Sequence, residues 1–185
     1  MPWMPSGKPP PCNSRMPPES STVPTQPDTD LLPLTDPFSL KPGHLLRRCH
    51  QIALGIFHHK CHRFGITPLQ YAVLSALEHR RTLDQITLGG LVALDRTTTT
   101  HLVGKLLESG RVSRSASEKD KRFKLVAITP AGRELLAQVE QAVQAVQDEI
   151  IRPLTPEEAR LLVSLLQKIA RENNTYSRAP QRKLE

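Results

Sequence analysis

The sequence lacks several features that define other classes of protein. It has no apolar run near the roughly 18 to 20 residues that a membrane-spanning helix needs, and its first residues lack the apolar segment of a secretory signal. Its three cysteines form no CxxC motif, and an odd count argues against a disulfide framework and for a reducing cytosol. The pair Gly89-Gly90 is not set in a phosphate-binding pattern, and no nucleophile has an orienting partner nearby. We therefore expect neither an enzyme nor a cofactor.

Proline is scarce in most of the chain, because 12 of the 17 prolines lie in the first 42 residues. Such a segment buries too little apolar surface to offset its ordering entropy, so we predict a disordered arm over residues 1–42. The folded domain is then expected over residues 43–173, followed by a flexible tail over residues 174–185. The net charge of +7 is concentrated in the middle, where residues 44–130 carry 14 basic and 6 acidic side chains. A basic surface on a folded domain indicates a polyanionic partner.

The apolar pattern predicts a mainly α-helical domain with a small β wing. Apolar residues recur at three- and four-residue steps from His44 to Phe64, which is typical of an amphipathic helix. Thr67, Thr129 and Thr155 each precede a proline, which is a signal for a helix start. Further helices are predicted over Leu69–Arg80, Leu83–Leu94, Arg96–Ser109, Pro130–Ile151 and from Pro156 onward, and strands over Val112–Ala116 and Phe123–Ile128, with Phe123, Leu125 and Ala127 on one face.

The helices on either side of Asp95 have the spacing of a helix-turn-helix, in which the second helix enters the major groove of DNA. Four consecutive threonines are unfavourable inside a helix, so we expect their hydroxyl and methyl groups to contact bases or phosphates. The alternative is that the threonines lie on a solvated face of the helix and have no role in binding. The predicted contacts from this helix are Arg96, Thr97, Thr98, Thr99, Thr100, His101 and Lys105.

Between the two predicted strands lies a charged hairpin tip, which is typical of the wing of a winged helix-turn-helix. Lys119, Lys121 and Arg122 are expected to contact phosphates or the minor groove, with Asp120 orienting Arg122 through a charge-assisted pair. A solvated turn is the alternative interpretation of such a charge run.

The first predicted helix is rich in histidine and cysteine. His58 and His62 have helical metal-ligand spacing with Cys61 beside them, but no acidic residue accompanies them. Cys49 and Cys61 lie on the apolar stripe, where a free cysteine is usually a small hydrophobic residue, although an oxidant sensor is the alternative. We expect no metal, and both sensing hypotheses stay open.

Residues 44–173 resemble the MarR family of winged-helix transcription regulators. The resemblance rests on Gly65–Leu74, Leu94–Thr98, the Asp120-Lys121-Arg122 wing and Leu125–Gly132. It implies a homodimer in which N- and C-terminal helices, about 44–64 and 130–173, interlock above two DNA-binding lobes of about 67–130. It also implies a pseudo-palindromic operator, repression of transcription, and release by a small aromatic acid.

An aromatic acid needs a cation for its carboxylate and an apolar wall for its ring. In the family the pocket lies between the dimer helices and the winged lobe, and Arg47, His50, Gln51 and Tyr71 are the residues of this chain expected there. Their setting is similar to regulators of aromatic-acid catabolism, nicotinate-pathway repressors of Bordetella and Pseudomonas among them, which implies 6-hydroxynicotinate as the effector. A non-specific, architectural DNA-binding protein is the alternative function.

Overall fold

The computed structural model describes residues 37–116 and 124–181, and those from Lys41 onward belong to one compact unit. Of the predicted arm over residues 1–42, all but the last six residues lie outside the described part of the chain. The helices are α1 (Pro42–Cys61), α2 (Pro68–Arg80), α3 (Gln85–Leu91), α4 (Arg96–Glu108), α5 (Pro130–Ile151) and α6 (Pro156–Glu172), and the strands are β1 (Thr82–Asp84), β2 (Val112–Ala116) and β3 (Lys124–Ile128). The prediction of a mainly α-helical fold with a small β wing is confirmed.

Threonine caps fix where three of these helices begin. Thr67 and Gln70 form a capping box, in which the Gln70 N–H donates to Thr67 Oγ1 and the Thr67 N–H donates to Gln70 Oε1. Thr155 and Glu158 form the second capping box, at one of the helix starts that the sequence predicts. Because these bonds are local, the start of each helix is encoded within four residues.

Thr129, the third cap, also ties α5 to the end of α4. Its hydroxyl donates to Gly110 O at 2.7 Å and accepts from the Gly132 N–H at 3.2 Å. A side chain at Gly132 would collide with Arg111 O, so the first turn of α5 can lie against the chain that leads into β2 only because glycine is present there.

The sheet differs from the sequence prediction in two ways. A third strand, β1, pairs with β3 in antiparallel register, and the order is β1-β3-β2. The prediction of a helix starting at Leu83 is therefore wrong: Leu83 lies opposite Val126 in the sheet. The predicted alternation in β3 is also wrong, because Val126 and Ile128 are buried while Leu125 is only half-buried. As the central strand, β3 turns Val126 and Ile128 toward the helices.

One hydrophobic core joins the lobe to α5. Its fully buried side chains come from α2, α3, α4, β3 and α5, and the largest are Leu74, Leu77, Leu88, Leu106, Val73, Val103, Val126, Val139 and Val146. Helix α1 packs on α5, yet only its C-terminal residues Phe57 and Cys61 are buried. Helix α6 has no buried residue, so its leucine-rich face is exposed within this single chain.

Candidate nucleic-acid interface

Helix α4 begins at a tightly held cap. Asp95 accepts two hydrogen bonds from Thr98, one from its N–H and one from its hydroxyl, both at 2.9 Å. These bonds stabilise the carboxylate and lower the pKa of Asp95 below its usual value. The cap orients the first turn so that Arg96 and Thr97 are exposed.

The four threonines lie on different faces of α4, and only those that are exposed can contact DNA. Thr99 is buried, with 1% of its surface exposed, and its hydroxyl donates to Asp95 O at 2.8 Å. The prediction that Thr99 contacts DNA is therefore wrong, since its side chain faces the core. Thr98 is half-buried, and the Thr100 hydroxyl donates to Arg96 O at 2.8 Å. Thr97 is exposed.

Helix α3 supports α4 through an unusually close approach. A Cβ atom at Gly89 would lie 2.7 Å from Thr99 Oγ1 and 2.8 Å from Leu94 O. The turn between the helices contains Ala93 with φ +55°, a left-handed conformation that usually selects glycine. Gly89 and Thr99 together fix the position of α4 relative to α3.

The exposed end of α4 lines an open cleft of about 420 Å3. Arg96 shares this cleft with Arg114 of β2 and Lys124 of β3, while Asp84 is the one acidic side chain among the described residues that line it. Burial alone would raise the pKa of Asp84, but hydrogen bonds from Thr87 and the Ile86 N–H lower it overall. Its carboxylate is thus ionised and occupied by local bonds, and the cleft has a net positive charge.

A polar group of α3 also borders this cleft. The side-chain Nε2 of Gln85 is buried and has no hydrogen-bond partner among the described residues, and Gln85 lines the cleft beside Arg96. A buried donor without a partner costs free energy, and an acceptor entering the cleft would remove that cost.

The sequence interpretation missed Arg114 and Lys124. The strand period places Lys124 on the same face of β3 as Val126 and Ile128, but the period alone does not tell which face the helices cover. Lys119, Asp120, Lys121 and Arg122 lie outside the described residues. His101 and Lys105 are exposed on α4, as a role in binding DNA requires.

The residues predicted to bind an effector fall into two separate places. Tyr71 is half-buried, and its hydroxyl donates to Glu140 Oε2 at 3.4 Å. Burial is the main cause that raises the pKa of Tyr71, and the charge of Glu140 adds to it. Arg47, His50 and Gln51 are exposed on α1 and line neither of the two clefts that contain Tyr71.

The cleft between α2 and α5 at Tyr71 is rich in charge. It is lined by Ser75, Glu78, His79, Arg133, Leu136 and Glu140 as well as Tyr71. Arg133 Nε lies 2.9 Å from Glu78 Oε2, so its charge is already neutralised within the cleft. Glu140 has no ion-pair partner among the described residues, so its negative charge would repel an incoming carboxylate unless another cation reached the cleft.

The histidines and cysteines of the first predicted helix are not grouped as metal ligands in the described part of the chain. His58 and His62 stack, with ring centroids 5.9 Å apart, but within residues 37–116 and 124–181 no three His, Cys, Asp or Glu side chains are grouped to hold a metal ion. Burial raises the pKa of the Cys61 thiol, opposed by the nearby charge of Arg63, and so disfavours the reactive thiolate. Cys49 is exposed rather than part of the apolar core.

In the described part of the chain no helix is both long and apolar enough to cross a bilayer. A model of the MarR family matches residues 66–124, which include helices α2, α3 and α4 and strands β1 and β2. The chain is similar to solved structures over nearly their whole length. A probable transcriptional regulator from Pseudomonas aeruginosa is 31% identical with a TM-score of 0.68, and the match covers 71% of this chain and 98% of that one.

Two further similar structures are of proteins that bind DNA. BpsR of Bordetella bronchiseptica, whose DNA binding is regulated by 6-hydroxynicotinic acid, is 28% identical with a TM-score of 0.70, and the match covers 72% of this chain and 95% of that one. A mutant of MarR from Escherichia coli in complex with operator DNA is 26% identical with a TM-score of 0.65, and the match covers 69% and 91%.

Proposed function

This chain belongs to the MarR family of transcriptional regulators, and we propose that it is a homodimeric repressor that binds a pseudo-palindromic operator and is released by a small aromatic acid. The observation that carries the proposal is the cationic cleft, where Arg96, exposed at the first turn of α4, is joined by Arg114 and Lys124. Exposed arginines and lysines so arranged bind phosphates and the guanine edge.

In the proposed complex, α4 lies in the major groove and the β2–β3 hairpin lies beside it. Arg96 contacts guanine or a phosphate, and the exposed side chains of Thr97, Thr100, His101 and Lys105 follow along the same helix. The roles of Lys119, Lys121 and Arg122 at the wing tip, and of Asp120 in orienting Arg122, rest on the sequence and the family alone.

The test replaces Arg96 by alanine and measures binding to a fluorescent fragment of the protein's own promoter by anisotropy. Loss of a bidentate contact with guanine costs about 1–3 kcal/mol, so Kd should rise roughly 5- to 150-fold. Arg160→Ala is the matched control, because it removes the same charge from an exposed arginine of α6 that is paired with Glu157 at 2.6 Å. Equal binding by the two variants would contradict the placement of α4 on DNA.

A non-specific architectural protein is the second candidate, favoured by the +8 of residues 44–130. Competition by unrelated duplex DNA at fixed salt separates the two functions. A repressor should prefer its operator by about a thousandfold or more, whereas the architectural protein would bind both with similar affinity and steep salt dependence.

The exposed apolar face of α6 supports the homodimer. Leu161 and Leu165 are 59% and 49% exposed, and Leu46 and Ile52 of α1 are exposed by 44% and 52%. Fully burying an exposed leucine or isoleucine contributes about 1.5–3 kcal/mol, so covering each of these half-exposed side chains would contribute roughly half of that to the stability of the dimer. Sedimentation of Leu165→Asp should give a monomer, whereas Leu69→Asp, at a position 43% exposed on α2, should sediment as the wild type does.

For the effector we propose the cleft at Tyr71, completed by cations of α1 when the dimer forms. The cleft needs an additional positive charge to accept a carboxylate, and Arg47 and His50 are exposed on α1 with Gln51 beside them. The regulation of BpsR by 6-hydroxynicotinic acid makes that compound the first ligand to try.

A thermal-shift screen of aromatic acids, with 6-hydroxynicotinate among them, tests the effector, because a ligand that binds only the folded protein raises its melting temperature. His50→Ala and Tyr71→Phe should each reduce the shift and the release of DNA, yet leave DNA binding without effector unchanged. Unchanged release in both variants would exclude this cleft.

A further inference from the structure

The end of the chain folds back on itself beyond α6. Asn174 pairs with both backbone groups of Gln181: its Oδ1 accepts the Gln181 N–H at 2.8 Å and its Nδ2 donates to Gln181 O at 2.9 Å. Within the loop, the Ala179 N–H donates to Ser177 Oγ at 3.1 Å. We call residues 174–181 the C-terminal loop; composition predicts a flexible tail here, and the structure instead closes it through Asn174.

The C-terminal loop lies against helix α3. A Cβ atom at Gly90 would be 2.9 Å from Pro180 O and 3.6 Å from the Gln181 Cα atom. The two adjacent glycines of α3 thus accept two different neighbours, since Gly89 receives Thr99 of α4 and Gly90 receives the loop. The loop is held on the same helix that positions α4.

This placement brings Arg178 to the exposed end of α4. Arg178 lines a cleft of about 300 Å3 together with Ile86, Asp95 and Arg96. Asp95 is ionised, but Arg96 and Arg178 both line the same cleft, so the described charges there, two positive and one negative, leave it a net charge of +1. No described residue forms an ion pair with Arg178, whereas Arg171 in the last turn of α6 is paired with Glu172 at 3.2 Å.

Arg96 therefore stands between two cationic flanks. On one side it shares a cleft with Arg114 and Lys124, and on the other side it shares a cleft with Arg178. If α4 lies on DNA, the flank formed by the C-terminal loop lies over the sugar-phosphate backbone next to the groove, where an unpaired guanidinium binds phosphate.

We propose that the C-terminal loop is an additional DNA-contact element, in which Arg178 binds a backbone phosphate beside the groove occupied by α4. The proposal rests on the proposed DNA-binding function of α4. It adds a contact from outside the helix-turn-helix and the wing, and it assigns to Gly90 and Asn174 the role of positioning that contact.

The experiment measures the affinity of the full chain for its promoter fragment over a series of KCl concentrations. Each phosphate contact contributes about 0.9 to the slope of log Kd against log salt, so Arg178→Ala should lower the slope by about 1 and weaken binding several-fold. Arg178→Lys should keep the slope. Arg171→Ala removes the same charge from a paired arginine a few residues away and should leave both quantities unchanged.

Positioning is tested by opening the loop while Arg178 stays in the chain. Asn174→Ala should lose as much affinity as Arg178→Ala, and the double variant should lose no more than either one, because both changes remove the same contact. Circular dichroism verifies that each variant is folded.

The outcomes separate this inference from the proposed function. If Arg96→Ala loses binding while Arg178→Ala matches Arg171→Ala, the C-terminal loop does not contact DNA and only this inference fails. Tighter binding by Arg178→Ala would also overturn it, since the loop would then obstruct the DNA surface. If Arg96→Ala binds like the wild type, the proposed function itself fails.

Discussion

The contact between α3 and α4 permits a sharp prediction about two glycines. Gly89 and Gly104 both lie within helices of the helix-turn-helix, and replacing either by alanine adds one methyl group. At Gly104 nothing lies within 4 Å of the added Cβ atom, whereas at Gly89 the Cβ atom meets Thr99 Oγ1 at 2.7 Å and Leu94 O at 2.8 Å. The same substitution should therefore stabilise the protein at position 104 and give no stabilisation at position 89.

The magnitudes follow from helix propensity and packing. Alanine stabilises a helix interior by about 1 kcal/mol relative to glycine, so Gly104→Ala should raise the free energy of unfolding by roughly that amount. At position 89 the contacts are several tenths of an ångström too short, and the backbone oxygen of Leu94 cannot rotate away as a side chain would. Overpacking of this kind costs about 1–3 kcal/mol, which cancels or exceeds the gain from propensity.

The assay is urea unfolding followed by far-UV circular dichroism, at one protomer concentration because association contributes to stability. We expect Gly89→Ala to be about 1–3 kcal/mol less stable than Gly104→Ala, by the same overpacking cost. Gly89→Ala should also bind promoter DNA more weakly under conditions where it is fully folded, since α4 must move. Equal stabilisation by both substitutions would show that α3 and α4 do not approach this closely.

Three further predictions concern other parts of the chain. Ala93→Gly should be nearly neutral in urea unfolding, because relief of the left-handed conformation, about 1 kcal/mol, is offset by the larger entropy of the unfolded chain, while Ala93→Val should be destabilising. The lowered pKa of Asp84 means that its contribution to stability is present above about pH 4 and is lost as the pH falls through the lowered value; Asp84→Asn should show a flatter loss of stability with acid, and an unchanged acid profile would contradict this. Iodoacetamide followed by peptide mass spectrometry should modify Cys61 slowly in the folded protein and rapidly in denaturant, because the thiol is buried and its pKa is raised; equal rates would contradict the buried placement.

The parts of the fold that could be predicted are those encoded by near neighbours. Thr67, Thr129 and Thr155 mark helix starts because the cap, the proline after it and the partner N–H lie within four residues. Strand β1 could not be found in this way, because a three-residue strand exists only through its pairing with β3, more than forty residues later in the chain. The error about which face of β3 is buried has the same origin, since the burial of Val126 depends on which helices cover the sheet.

The candidate interface likewise combines residues that local sequence predicts with residues that only tertiary contacts bring to it. Arg96 could be predicted because Asp95 caps the helix locally and leaves its first turn exposed. Arg114 and Arg178 could not be predicted, because each reaches the end of α4 only through tertiary contacts, one through the sheet and the other through the C-terminal loop. The threonine run was predicted as one surface, yet a helix has several faces, and Thr99 occupies the face that packs on α3.

Helix α3 positions two of the segments that form the cationic surface, α4 and the C-terminal loop. Leu88 anchors it in the core with no exposed surface, and the next two residues accept α4 and the C-terminal loop in turn. A glycine pair inside a short helix is unfavourable by itself, at about 1 kcal/mol per residue relative to alanine. That cost is consistent with a requirement for close approach on both sides, because any side chain at either position would move a cation-bearing segment away from the surface that we propose binds DNA.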